Sequence, residues 1–153
     1  MELKYNAGFE QEVIHAKSKG TKEEYRDMIF LLDYLATALE DSAAYYGDEL
    51  ADANGESKVE GELVQEATVY NISPQTIQEV KETIAEFKKL CKEQGLFWDT
   101  IQGGDLYMES KYGSGLWQPT IKRKKDLESL IHKNFSIYEG IFRMGDDGYL
   151  FIE

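Results

Sequence analysis

Ser73-Pro74, then apolar residues at Ile77, Val80, Ile84, Phe87 and Cys91, then Gly95, is the stretch that most limits what this chain can fold into. A serine hydroxyl accepts a free amide of the first helical turn, and a proline at the first helical position lacks only an N–H that the helix would not use. Spacings of three and four draw the apolar residues into one stripe, and a glycine beyond it supplies the left-handed residue that ends a helix. The pattern predicts a helix that opens at Pro74, stops before Gly95 and turns its stripe toward a core. Cys91 continues that stripe, which makes it a packed, unreactive thiol rather than a nucleophile.

A second helix is predicted from Thr21, because Thr21 and Glu24 form a capping box. Tyr25, Met28, Ile29, Leu32, Leu35, Ala36, Leu39 and Ala43 form its apolar face, and Gly47 and Asn54-Gly55 end it near Tyr46. Residues 1–20 show no clear period, and residues 56–70 fit either a strand or an irregular helix. Leu96 to Gln118 is rich in glycine and aromatic residues and reads as turns and short strands. Asp126 is a candidate cap for a short helix carrying Leu127, Leu130, Ile131 and Phe135, and Gly145-Asp146-Asp147-Gly148 reads as the turn of a hairpin joining 137–144 to 149–152. Together these elements predict one α+β domain over residues 1–153. Two main amphipathic helices and a short third pack on a small, mainly antiparallel sheet with a C-terminal hairpin.

With 42% hydrophobic residues and 12% aromatic ones, the chain has enough apolar surface for a core of its own. No apolar run approaches a membrane span, Met1-Glu2-Leu3-Lys4-Tyr5 does not open like a signal peptide, and a single cysteine suits a reducing compartment. A cytoplasmic protein without membrane contact is expected. The net charge of −12 disfavours direct binding to nucleic acid or to an anionic membrane and favours cationic partners.

Charge is placed unevenly. Residues 40–66 carry Glu40, Asp41, Asp48, Glu49, Asp52, Glu56, Glu60, Glu62 and Glu66 against Lys58 alone. Carboxylates presented on a folded scaffold can occupy a basic groove where phosphates would otherwise bind, so this stretch is a candidate interface for a basic, nucleic-acid-binding partner. The competing reading is that the charge only keeps the chain in solution.

Asp48, Asp52, Asn54 and Gly55 superficially suggest a calcium loop. With Gly55 as its invariant glycine, the first and twelfth ligand positions fall on Leu50 and Gly61, which excludes an EF-hand. His15 and His132 lack metal-ligand spacing, and neither a nucleophile elbow nor a Walker loop nor a dinucleotide fingerprint occurs. No metal, cofactor or catalytic residue is expected. A second candidate is aromatic: Trp98, Tyr107, Tyr112 and Trp117, interleaved with Gly103-Gly104 and Gly113-Ser114-Gly115, either line a ligand groove of a small enzyme or binding module or pack in the core.

Phe97-Trp98-Asp99-Thr100, then Gly113-Ser114-Gly115-Leu116-Trp117, then a short helix and Gly145-Asp146-Asp147-Gly148-Tyr149 resemble a group of small uncharacterised phage-encoded proteins. The helix opened by Ser73-Pro74-Gln75-Thr76 is similar to the element preceding that motif. The resemblance covers residues 71–153, with Ser114 standing where the group tends to have histidine. It implies a phage or prophage origin and brings no known activity. Joined to the acidic stretch, it suggests a small accessory protein that binds and inhibits a host or defence protein.

Overall fold

A computed structural model describes residues 2–49 and 56–153. Six α-helices and one two-stranded sheet occur among them: α1 Ala7–Ser18, α2 Lys22–Glu49, α3 Glu56–Glu66, α4 Pro74–Glu93, α5 Gly103–Tyr112, α6 Lys124–Asn134, β1 Phe142–Met144 and β2 Leu150–Ile152. None of the described helices is long and apolar enough to cross a membrane.

Helix α4 forms as its local signals dictate. The Ser73 hydroxyl accepts from Thr76 N at 3.1 Å, Pro74 takes the first helical position, and all five stripe residues are buried. Gly95 follows at φ +68°. Burial pushes the Cys91 thiol up to about 11, which leaves it protonated and inert.

Helix α2 starts at its capping box, with Glu24 N donating to Thr21 Oγ1 at 3.1 Å and Thr21 N donating to Glu24 Oε1 at 3.2 Å. It continues through Gly47 to Glu49, past the end expected near Tyr46. The stripe also turns out to be rotated. Tyr25 and Ile29 are exposed, whereas Phe30, Leu31, Tyr34, Ala38 and Tyr46 join Met28, Leu35 and Leu39 in the core. The reason is that α2 is the central helix, with neighbours on more than one side, so its buried surface is wider than a single stripe. Asn54-Gly55, the other expected break, lies outside the described residues.

The region read as turns and short strands is mainly helical. Gly103 and Gly104 occupy the first turn of α5, where glycine does not interrupt the hydrogen-bonded ladder. Their missing side chains let α5 touch α2 directly. A Cβ on Gly103 would overlap the Phe30 carbonyl oxygen and lie 2.8 Å from Tyr34 N, and one on Gly104 would lie 2.9 Å from Asp33 Oδ2. Asp33 then accepts the Gly104 amide at 2.7 Å.

The α+β class holds, with helices dominating. β1 and β2 pair antiparallel with Phe142 opposite Ile152, and Ser73 N donates to Leu150 O at 2.8 Å. The hairpin lies where the sequence puts it, around a turn ending at Gly148 (φ +88°), but its strands are only three residues long. It therefore does not form the floor on which the helices rest. Instead β1 is held by helix side chains: Ser42 Oγ accepts from Phe142 N at 2.9 Å, Tyr46 OH donates to Phe142 O at 3.1 Å, and Glu60 Oε2 accepts from Met144 N at 3.1 Å. These bonds satisfy a strand edge that would otherwise be bare.

Candidate functional site

The acidic stretch and Trp98 lie toward opposite ends of α2, whereas Tyr107 and Tyr112 meet the acidic stretch at Asp41. At the C-terminal end of α2, the carboxylates of residues 40–66 divide into two kinds. Asp41 is half-buried and bound from three directions: Lys111 Nζ donates to Oδ2 at 2.6 Å, Tyr107 OH to Oδ2 at 2.7 Å and Tyr112 OH to Oδ1 at 2.6 Å. Burial alone would raise its carboxyl, but the hydrogen bonds from Lys111, Tyr112 and Tyr107 outweigh it and hold the group below the ordinary carboxylate value. Glu60 accepts from Tyr46 OH at 2.7 Å and caps β1.

Asp41 and Glu60 are therefore engaged by groups within the fold rather than left as open charges. Glu40, Glu62 and Glu66 are exposed. Asp48 and Glu49 end α2 and Glu56 begins α3, while Asp52, Asn54 and Gly55 of the rejected calcium loop lie outside the described residues. Neither α2 nor α3 carries a basic residue in its last turn.

Among the described residues, the clefts that Trp98 lines include none of Tyr107, Tyr112 and Trp117. Tyr107 is fully buried, edge-on to Tyr34 at 5.5 Å, and its hydroxyl pKa is driven upward by burial and by Asp41. Tyr112 is exposed but commits its hydroxyl to Asp41. Trp117 is 73% exposed and stands apart from the clefts that Trp98 lines.

Trp98 is different. It follows α4 in a short 3₁₀ turn, Trp98–Thr100, and sits half-buried with its ring edge-on to Phe30 at 5.2 Å. Lys88 Nζ lies 4.2 Å from the ring centroid and the Arg26 guanidinium 5.5 Å from it. Each cation is also neutralised, Lys88 by Asp27 at 2.5 Å and Arg26 by Asp99. The tryptophan, its two cations and their two carboxylates form a wall with a cleft on either side.

One cleft, of about 340 Å³, is lined by the exposed Tyr25 and Ile29 together with Gly103. The other, of about 740 Å³, runs between the start of α2 and the end of α4 and holds Lys22, Lys89, Lys92 and Phe97, together with the carboxylate of Glu23. Phe97 is 58% exposed, with Lys122 Nζ 5.8 Å from its ring centroid. Among the described residues, no carboxylate lies within ion-pairing distance of Lys22, Lys89 or Lys92. Sequence reasoning passed over this cleft, although Lys88-Lys89, Lys92 and the run Lys122-Arg123-Lys124-Lys125 were visible as basic clusters in an acidic chain.

One further polar pair joins α5 to α6. Buried Glu109 accepts from Gly115 N at 3.2 Å and lies 2.5 Å from His132 Nε2. Among the described residues, no group of three or more His, Cys, Asp or Glu side chains is arranged to hold a metal ion. Comparison with known protein families, with curated proteins and with solved structures finds no match.

Proposed function

We propose that this chain is a small acidic accessory protein of phage type. It binds a basic host or defence protein through the carboxylates of the α2–α3 end and covers a surface on which that partner binds nucleic acid. The observation that carries the reading is the segregation of charge along α2. Nine carboxylates face a single lysine over residues 40–66. Acidic residues near a helix C-terminus oppose the helix dipole, so Glu62 and Glu66 in α3 do not owe their place to helix stability. Asp41 and Glu60 hold the scaffold, and Glu40, Glu62 and Glu66 present charge to solvent. Asp48, Glu49, Asp52 and Glu56 extend the same acidic stretch in sequence.

The test is affinity capture from nuclease-treated host extract at about 0.05 M and about 0.5 M salt, spanning the range over which exposed charges become screened. A basic partner retained at low salt, released at high salt and displaced by added nucleic acid supports the reading. Changing Asp48, Glu49, Asp52 and Glu56 together to their amides should weaken capture without lowering the melting temperature. Equal capture by the variant at both salts, with nucleic acid present, would leave the charge as a solubility feature.

A further inference from the structure

We infer that the cleft beside Trp98 is a nucleotide site, taking a nucleoside di- or triphosphate with its phosphates on Lys22, Lys89 and Lys92 and its base against Phe97. Three observations converge on it.

First, the cleft is basic in a chain of net charge −12. Carboxylates are abundant enough to neutralise every lysine, and at this end they do neutralise Arg26 and Lys88. Lys22, Lys89 and Lys92 line the same space, and among the described residues none of them is within ion-pairing distance of a carboxylate. Lys92, in the last turn of α4, also suits the helix dipole, but that does not account for Lys89 or for Lys22, which opens α2. Five cations line the cleft against the three carboxylates Glu23, Asp27 and Asp99, and a surplus of converging lysines is a phosphate-binding arrangement, each acting as a point charge with rotatable donors.

Second, an aromatic ring stands at the rim. Phe97 leaves more than half its surface in water although its neighbour Leu96 is buried, and it sits beside the lysines rather than in the core. A ring next to phosphate-binding cations distinguishes a nucleotide from inorganic polyanions, because base stacking adds to affinity only when the ligand carries a base.

Third, the wall is preorganised. Trp98 is clamped by Phe30, Lys88 and Arg26, so it does not stack on a ligand; it fixes the backbone from which Phe97 projects. The cleft volume of about 740 Å³ falls in the range usual for small-molecule sites.

The experiment is calorimetric titration of the purified chain with ADP, inorganic pyrophosphate and adenosine in parallel, at about 0.05 M salt. ADP should bind more tightly than either fragment. Lys89→Gln combined with Lys92→Gln should weaken ADP roughly tenfold or more, and Phe97→Leu should weaken ADP while leaving pyrophosphate unchanged. These three side chains are exposed, so thermal melts of the variants should match the parent. Absence of binding at about 5 mM ADP, pyrophosphate as tight as ADP, or ADP affinity unchanged in the lysine variant would each overturn the assignment. Because the variants leave residues 40–66 untouched, their failure and the failure of partner capture are read separately.

Discussion

At both ends of α2 an inner layer of charge is paired off and an outer layer is left over, but the sign of the surplus reverses. Near the start of the helix, Arg26 and Lys88 are matched by Asp99 and Asp27, and Lys22, Lys89 and Lys92 outnumber Glu23, the cleft's remaining carboxylate. Near its end, Asp41 is matched by Lys111 and Glu60 lies 3.5 Å from Arg143, and Glu40, Glu62 and Glu66 remain. At about 1.5 Å per residue, α2 separates the two ends by roughly 40 Å, several times the screening length of about 8 Å at physiological salt. Each surplus is therefore screened from the other, and a total of −12 describes neither end.

The largest effect separates paired from surplus carboxylates. Asp41→Ala strands Lys111 beside Tyr107 and Gly140 O without its counter-charge and should cost about 3 kcal/mol, or about 6 to 12 °C in melting temperature for a chain of this size. A melting temperature that moved no more than that of Glu62→Gln would erase the distinction between the two layers.

At the basic end, Trp98→Ala removes the ring shared by Phe30, Lys88 and Arg26 and should cost about 2 kcal/mol. Trp117→Ala, at an exposed position, should stay within about 0.5 kcal/mol. Chemical denaturation of both variants checks this, and equal losses would restore the symmetry that the sequence suggests between the two tryptophans.

Acid titration sharpens the same contrast. The Asp41 carboxyl is held below its ordinary value of 3.8, so the unfolded chain takes up this proton first. The stability it contributes is present above that value and is lost as pH falls through the lower folded-state value. Asp41→Asn should flatten the acid limb of the stability profile. The smallest expected effect belongs to the surplus acids: Glu40, Glu62 and Glu66 changed together to glutamine should alter stability by less than about 0.5 kcal/mol while weakening capture of a basic partner at low salt.

Legibility in the sequence followed the range of the interactions. Helix α4 and the hairpin turn were readable because cap, stripe, stop and turn lie within a few residues of one another. Helix α5 was not, because Gly103-Gly104 reads as a turn until α2 is known to run beside it, about 70 residues away in sequence. The acidic stretch was visible as a stretch, yet Asp41 looked like Glu40. What tells them apart is Lys111, Tyr107 and Tyr112, which only the folded chain brings together. The basic cleft was hidden by the total charge, since its lysines come from two helices.

The backbone contact at the first turn of α5 also bears on ancestry. Surface charges and aromatic rings can change from one descendant to another, because other side chains can replace them. Gly103, Gly104 and Gly115 are harder to replace: a Cβ at the last would lie 2.6 Å from both Asp105 O and Glu109 N, one at Gly103 would press into the α2 backbone, and one at Gly104 would press on the Thr37 and Asp33 side chains. A distant cousin that keeps this arrangement of helices should therefore keep a glycine pair and a third glycine eleven positions beyond it. Three residues with no side chain are then a more durable mark of kinship than either tryptophan.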